Sequence, residues 1–148
     1  MNKTVFIAIA SLFGLASCAG MDTEGLKVKC DVGPVSVFVT GKIVGVGQDP
    51  IPVLKQNQWI CWQLDSNAAG SYMFFDESIS VDDTDNEFDN CKANNKKGVM
   101  QGDTLIACLD KNNKHGAGDV RYYKYTMTLK RRDGTPGPKS YDPQIGND

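Results

Sequence analysis

What most constrains this chain is its succession of short β-prone runs, each closed by glycine, proline, asparagine or aspartate. Gln58–Leu64 is the clearest: Ile60, Trp62 and Leu64 fall on one face and Trp59, Cys61 and Gln63 on the other, as in a central strand. Residues 26–32 alternate apolar with charged side chains until Gly33-Pro34 punctuates them. Residues 35–39 and 42–46 are β-branched and bounded by glycines, and Pro50 and Pro52 reduce the next stretch to an edge or irregular strand. Residues 72–75, 79–81, 104–109 and 120–129 continue the series. Asp133-Gly134 marks a turn, after which residues 141–145 return as a final edge strand. No segment carries a convincing helical period. The pattern predicts an all-β chain folded as a single antiparallel β-sandwich, with no internal repeat and no dividing linker.

Residues 1–17 have the three parts of an export signal: a polar start with Lys3, an apolar stretch over 5–16, and a small-residue cleavage zone. The apolar stretch is too short to span a bilayer as a helix. Leu15-Ala16-Ser17-Cys18 resembles the lipobox of bacterial lipoproteins, in which the cysteine thiol takes a diacylglycerol and becomes the first residue of the mature chain. Ordinary cleavage near Ala19 would instead strand Cys18 as an odd thiol in a secreted protein. The resemblance implies a signal peptide over 1–17 and lipidation at Cys18; the small, polar residues that follow read as a tether over 18–25, and the strand series as a β-sandwich domain over 26–148. Ala19 stands where inner-membrane lipoproteins of this type carry Asp, which for a Gram-negative source implies an outer-membrane address with the body in the periplasm or at the cell surface. Two or three acyl chains, each buried methylene contributing about 0.8 kcal/mol, hold such a protein stably.

The whole chain has 16 basic and 18 acidic residues, and removing the signal takes away only Lys3. Such a balance offers no nucleic-acid surface. Besides Cys18 there are Cys30, Cys61, Cys91 and Cys108, an even set that in an exported chain reads as two disulfides, with three connectivities open. We favour Cys91–Cys108, because the polar loop between them has little core to close it, and this leaves Cys30–Cys61. Cys61 lies off the main apolar face, which counts against that second pair. Zinc would require close pairs such as C-x-x-C, which are absent.

The segments Ile60-Cys61-Trp62-Gln63-Leu64, Tyr123-Lys124-Tyr125-Thr126-Met127-Thr128-Leu129 and Tyr141-Asp142-Pro143-Gln144-Ile145-Gly146-Asn147 resemble a group of small bacterial exported proteins with cupredoxin-like or immunoglobulin-like sandwiches. The likeness spans about residues 35–147 and implies fold rather than chemistry. Copper in true cupredoxins takes two histidines, a cysteine and usually an axial methionine. With His115 the one histidine in the chain, blue-copper electron transfer is excluded.

His115 sits in a polar, glycine-rich stretch and reads as a solvated loop residue. No G-x-S-x-G elbow or activated thiol accompanies it. Asp76, Glu77, Asp82, Asp83, Asp85, Glu87 and Asp89 crowd one segment. In an extended strand Asp83, Asp85, Glu87 and Asp89 would project from one face, where their oxygens could converge on calcium. The glycine and distal glutamate of a calcium-binding helical loop are missing, however, and the segment reads first as solvated acidic surface. Trp59 and Trp62 lie on opposite strand faces and make no sugar platform. Lys92, Lys96, Lys97, Lys111, Lys114, Lys130, Arg131 and Arg132 form a basic counterpart that could steer a charged partner. No catalytic set, cofactor or metal is assigned.

The chain therefore reads as a lipid-tethered, non-catalytic binding or structural module with an envelope protein as partner, in one version an inhibitor or immunity-type protein. The alternative is a calcium- or small-ligand-dependent binder using residues 76–90. Replacing the thiol by Cys18→Ser is expected to abolish incorporation of labelled palmitate and to release the protein from the membrane fraction; retained labelling would refute lipidation at this residue.

Overall fold

The computed structural model describes residues 28–91, 98–113 and 119–147. The expected signal over 1–17, Cys18, the expected tether over 18–25, His115, and Lys92, Lys96, Lys97 and Lys114 lie outside the described residues. The β-prone runs become β1 Val32–Thr40, β2 Ile43–Val46, β3 Ile51–Val53, β4 Gln58–Leu64, β5 Tyr72–Met73, β6 Ile79–Val81, β7 Phe88–Asp89, β8 Val99–Gln101, β9 Leu105–Asp110, β10 Arg121–Met127, β11 Lys130–Arg131 and β12 Gln144–Asn147. One helix, α1 Ser66–Ser71, interrupts them.

The chain is β-rich, but its sheets are mixed rather than purely antiparallel. The larger sheet runs β2-β1-β4-β9-β7, with β8 also on β9. Its β1–β4 pair is parallel, because β2 occupies one edge of β1 and the chain crosses to the other sheet as β3 before β4 returns on the far side of β1. The second sheet runs β3-β12-β10-β6 and contains the parallel pair β3–β12. A small β11-β5 ladder lies beside them.

The final strand is the largest departure from expectation. In place of an edge strand over 141–145, Gln144–Asn147 sits between β3 and β10, with Ile145 opposite both Ile51 and Tyr123. Tyr141 joins no strand: its backbone makes an isolated bridge to Met127, and its hydroxyl donates to Asp49 Oδ2 at 3.1 Å. At the other end of the chain, residues 28–31 are not strand. Asp31 instead exchanges bonds with Trp59: its amide donates to the Trp59 carbonyl, and its carboxylate accepts from the Trp59 amide, each at 2.9 Å. β1 then runs through Gly33-Pro34. Gly33, at φ +94°, is required there, since a Cβ would lie 2.6 Å from the Cys61 carbonyl oxygen.

Helix α1 was not foreseen, being too short for a 3.6-residue period to show. Asp65 caps it, its carboxylate accepting from the Ala68 amide at 2.6 Å. The strand expected over 72–75 stops at Met73 because the next amides leave the ladder: Phe74 donates to the Asp103 carbonyl at 2.8 Å and Phe75 to Ser78 Oγ at 2.9 Å.

Cys30 is bonded to Cys61 and Cys91 to Cys108, with Cα separations of 5.6 and 5.2 Å. Apolar side chains from both larger sheets form one core cluster, including Val37, Ile60, Trp62 and Ile106 from the first and Ile51, Tyr125, Met127 and Ile145 from the second. Trp62 and Tyr125 meet inside it with ring centroids 5.4 Å apart, and the indole Nε1 donates to the Tyr125 hydroxyl at 3.1 Å. Burial raises the Tyr125 phenol above its ordinary pKa, so it stays protonated. Tyr125→Phe would leave the indole N–H without its acceptor and is expected to lower stability by about 1–3 kcal/mol. Urea unfolding checks this: the midpoint should fall at constant m-value, and no change would mean the bond contributes nothing.

Candidate functional site

The acidic segment does not present its carboxylates from one face. Between Asp82 and Asn90 the strand is confined to Phe88 and Asp89, and Asn86, at φ +59°, turns the backbone before them. Each acid therefore takes a different course. Asp83 folds back on its own turn and accepts from the Glu87 and Phe88 amides, both at 2.9 Å. Asp85 reaches the second sheet, where Arg121 and the Tyr123 hydroxyl both bond its Oδ2. Asp89 faces Lys111 at 3.8 Å. Among the described residues no three His, Cys, Asp or Glu side chains form a metal-ligating group. Convergence of Asp83, Asp85, Glu87 and Asp89 on calcium is thus corrected: alternation holds only in an extended strand, and a turn replaces most of that strand.

Glu87 goes inward and is fully buried. Its Oε2 accepts from the Asn113 amide at 2.8 Å. One residue earlier, the Asn112 amide donates to Asp110 Oδ1 at 3.0 Å, in a turn that Asn112 closes at φ +41°. Two consecutive amides thus hold two carboxylates side by side. Asp110 also reaches across to the second sheet, its Oδ1 accepting from Asn147 Nδ2 at 3.1 Å, while Asn112 Nδ2 donates to the Val53 carbonyl at 3.3 Å. Asp110, Asn112 and Asn147 are all buried. Nothing in the sequence advertises this group, because its members come from β9, β12 and the loops after Asn86 and Asp110; the one available signal was a carboxylate ending the apolar strand 105–110.

Burial pushes the Asp110 carboxyl up to about 7; the Asn112 amide and Asn147 side chain oppose the rise, and the charges of Glu87 and Asp83 reinforce it.

The outer surface carries two further features. Tyr122 and Val120 lie over Gly146, where an added Cβ would come within 3.1 and 3.9 Å of them. Pro52 pairs with Gly146 on its other side, and Leu54 follows at the edge. Tyr122, Val120 and Leu54 are 56, 45 and 65 % exposed, which makes an apolar strip across β10, β12 and β3. Elsewhere, Lys42, Arg131 and Lys139 surround a recess of about 270 Å³ walled by Pro136 and Pro138, with the Arg131 guanidinium 5.5 Å from the Tyr72 ring centroid. The described part of the expected basic cluster is dispersed: Lys111 faces Asp89, Lys130 lies over Phe75, and Arg132 bonds Asp103 at 2.6 Å. Trp62 is core, and Trp59 is partly buried.

No family model matches the chain, and no curated protein is similar to it. Among the described residues no helix is long and apolar enough to cross a membrane.

The pH dependence of stability follows from Asp110. Its folded pKa, about 7, stands above the ordinary aspartate value near 4, so the folded state binds the proton more tightly. The resulting stabilisation is complete below about pH 4 and is lost as pH rises to about 7. In EDTA-containing buffer, the stability of the wild type relative to Asp110→Asn should therefore decline between those limits. Parallel pH profiles for the two proteins would show that Asp110 does not titrate there.

Proposed function

We propose that this chain is a lipid-anchored cell-envelope protein whose body, a cupredoxin-like or immunoglobulin-like β-sandwich, acts as a non-catalytic docking module for another envelope protein. The observation that carries the reading is the apolar strip of Tyr122, Val120, Pro52 and Leu54. A tyrosine standing over a glycine on a sheet face presents a rigid ring at little entropic cost, and tyrosine is among the residues that dominate binding at protein interfaces. Arg121, Asp85 and Lys124 beside it supply the polar rim that such a patch requires. The lipobox residues at Cys18 fit the same reading, because attachment confines the module to a surface where its partner is also confined and so raises their effective concentration. An inhibitor or immunity-type protein that covers the mouth of an envelope hydrolase is one form of this function.

Tyr122 contributes nothing to the interior, so Tyr122→Arg should fold normally while losing the docking surface. Crosslinking in intact cells, followed by recovery of the lipidated protein, is expected to yield a defined partner with the wild type and not with Tyr122→Arg. Identical recovery from the two proteins would overturn the proposal, as would the absence of any reproducible partner.

A further inference from the structure

Glu87 Oε1, Asp110 Oδ2 and Asn147 Oδ1 are buried and have no hydrogen-bond partner. All three are acceptors, they belong to side chains with no exposed surface, and each side chain is anchored by another of its atoms. Glu87 is held through Oε2 by the Asn113 amide, Asp110 through Oδ1 by the Asn112 amide and Asn147, and Asn147 through its Nδ2. Anchoring by one atom leaves the other oxygen of each group fixed and bare. Because the holding amides are consecutive in the chain, their Cα atoms about 3.8 Å apart, the two carboxylates are neighbours.

A buried acceptor without a donor costs about 1–3 kcal/mol, and native structures normally resolve such groups with an unseen ion or water. A proton on Asp110 would turn Oδ2 into a donor toward one neighbour and still leave the third oxygen bare. A cation bound among them would satisfy all three at once, and a divalent one would also balance the two carboxylates. We infer that Glu87, Asp110 and Asn147 form a calcium site joining the two larger sheets. The ligands are hard oxygens in an irregular arrangement, with Glu87 Oε2, which accepts one hydrogen bond from the Asn113 amide, able to add a bidentate contact, which suits calcium's adaptable shell better than the strict octahedron of magnesium. With only two carboxylates the dissociation constant should fall on the order of 10⁻⁴–10⁻³ M. This site is distinct from the docking strip and does not depend on it.

The test is thermal unfolding of the full-length chain in detergent, in EGTA and across a calcium titration, with magnesium as the comparison. The midpoint should climb with the logarithm of calcium concentration and respond far less to magnesium. Glu87→Gln and Asn147→Ser should each remove the shift, whereas Asp85→Asn, which changes a neighbouring acid outside the site, should keep it. Terbium luminescence displaced by calcium gives a second measurement should either site variant fail to fold. No calcium-dependent shift in the wild type would overturn the inference, leaving water or a proton among these oxygens. A shift lost equally in Asp85→Asn would also overturn it, since calcium would then be binding the acidic surface generally.

Discussion

The two larger sheets are tied together where Trp62 meets Tyr125. Trp62 lies on β4, which pairs with β1 on one side and β9 on the other, so its orientation fixes the middle of the first sheet. Tyr125 lies on β10, which pairs with both β12 and β6. The bond between indole and phenol therefore sets the facing of one sheet on the other as well as filling space between them. An apolar pair of the same volume would pack with less directional preference, whereas a buried N–H must find its acceptor. Around this contact the aliphatic side chains of both sheets can be exchanged more freely, because they answer to volume and not to direction.

Legibility in the sequence followed the locality of the signal. β4 could be read at both ends, Gln58 and Leu64, since alternation, aromatic content and flanking turns all lie within the strand. β3 was legible as an edge strand because Pro52 offers no amide for a second partner. Strand pairing was not legible: parallel β1–β4 and β3–β12 depend on which sheet the chain crosses to, and no periodicity encodes that. The interior position of β12 was hidden for the same reason, since Gln144–Asn147 shows little apolar alternation and owes its place to β3 and β10. The short helix after Asp65 has a capping residue but too few turns to display a face.

The acidic run shows how a composition signal can mislead about geometry. Its density suggested a shared task for Asp83, Asp85, Glu87 and Asp89, yet backbone turning sends them to four separate ends: a turn cap, an arginine and tyrosine, the interior, and a lysine. What the fold brings to Glu87 instead is Asp110 and Asn147, separated from each other by 37 residues. Such a grouping exists only once strands from both sheets are in place. The two disulfides belong to the same scale of organisation, each joining segments brought together by the first sheet.

The location of β12 has a consequence for the order of events along the chain. Because Gln144–Asn147 is inserted between β3 and β10, the second sheet has a gap along its middle until residue 147 has emerged. The second sheet therefore cannot be completed piecemeal from the N-terminus. The strands on either side must wait apart until Gln144–Asn147 arrives, and β12 then closes the sheet as a wedge closes an arch.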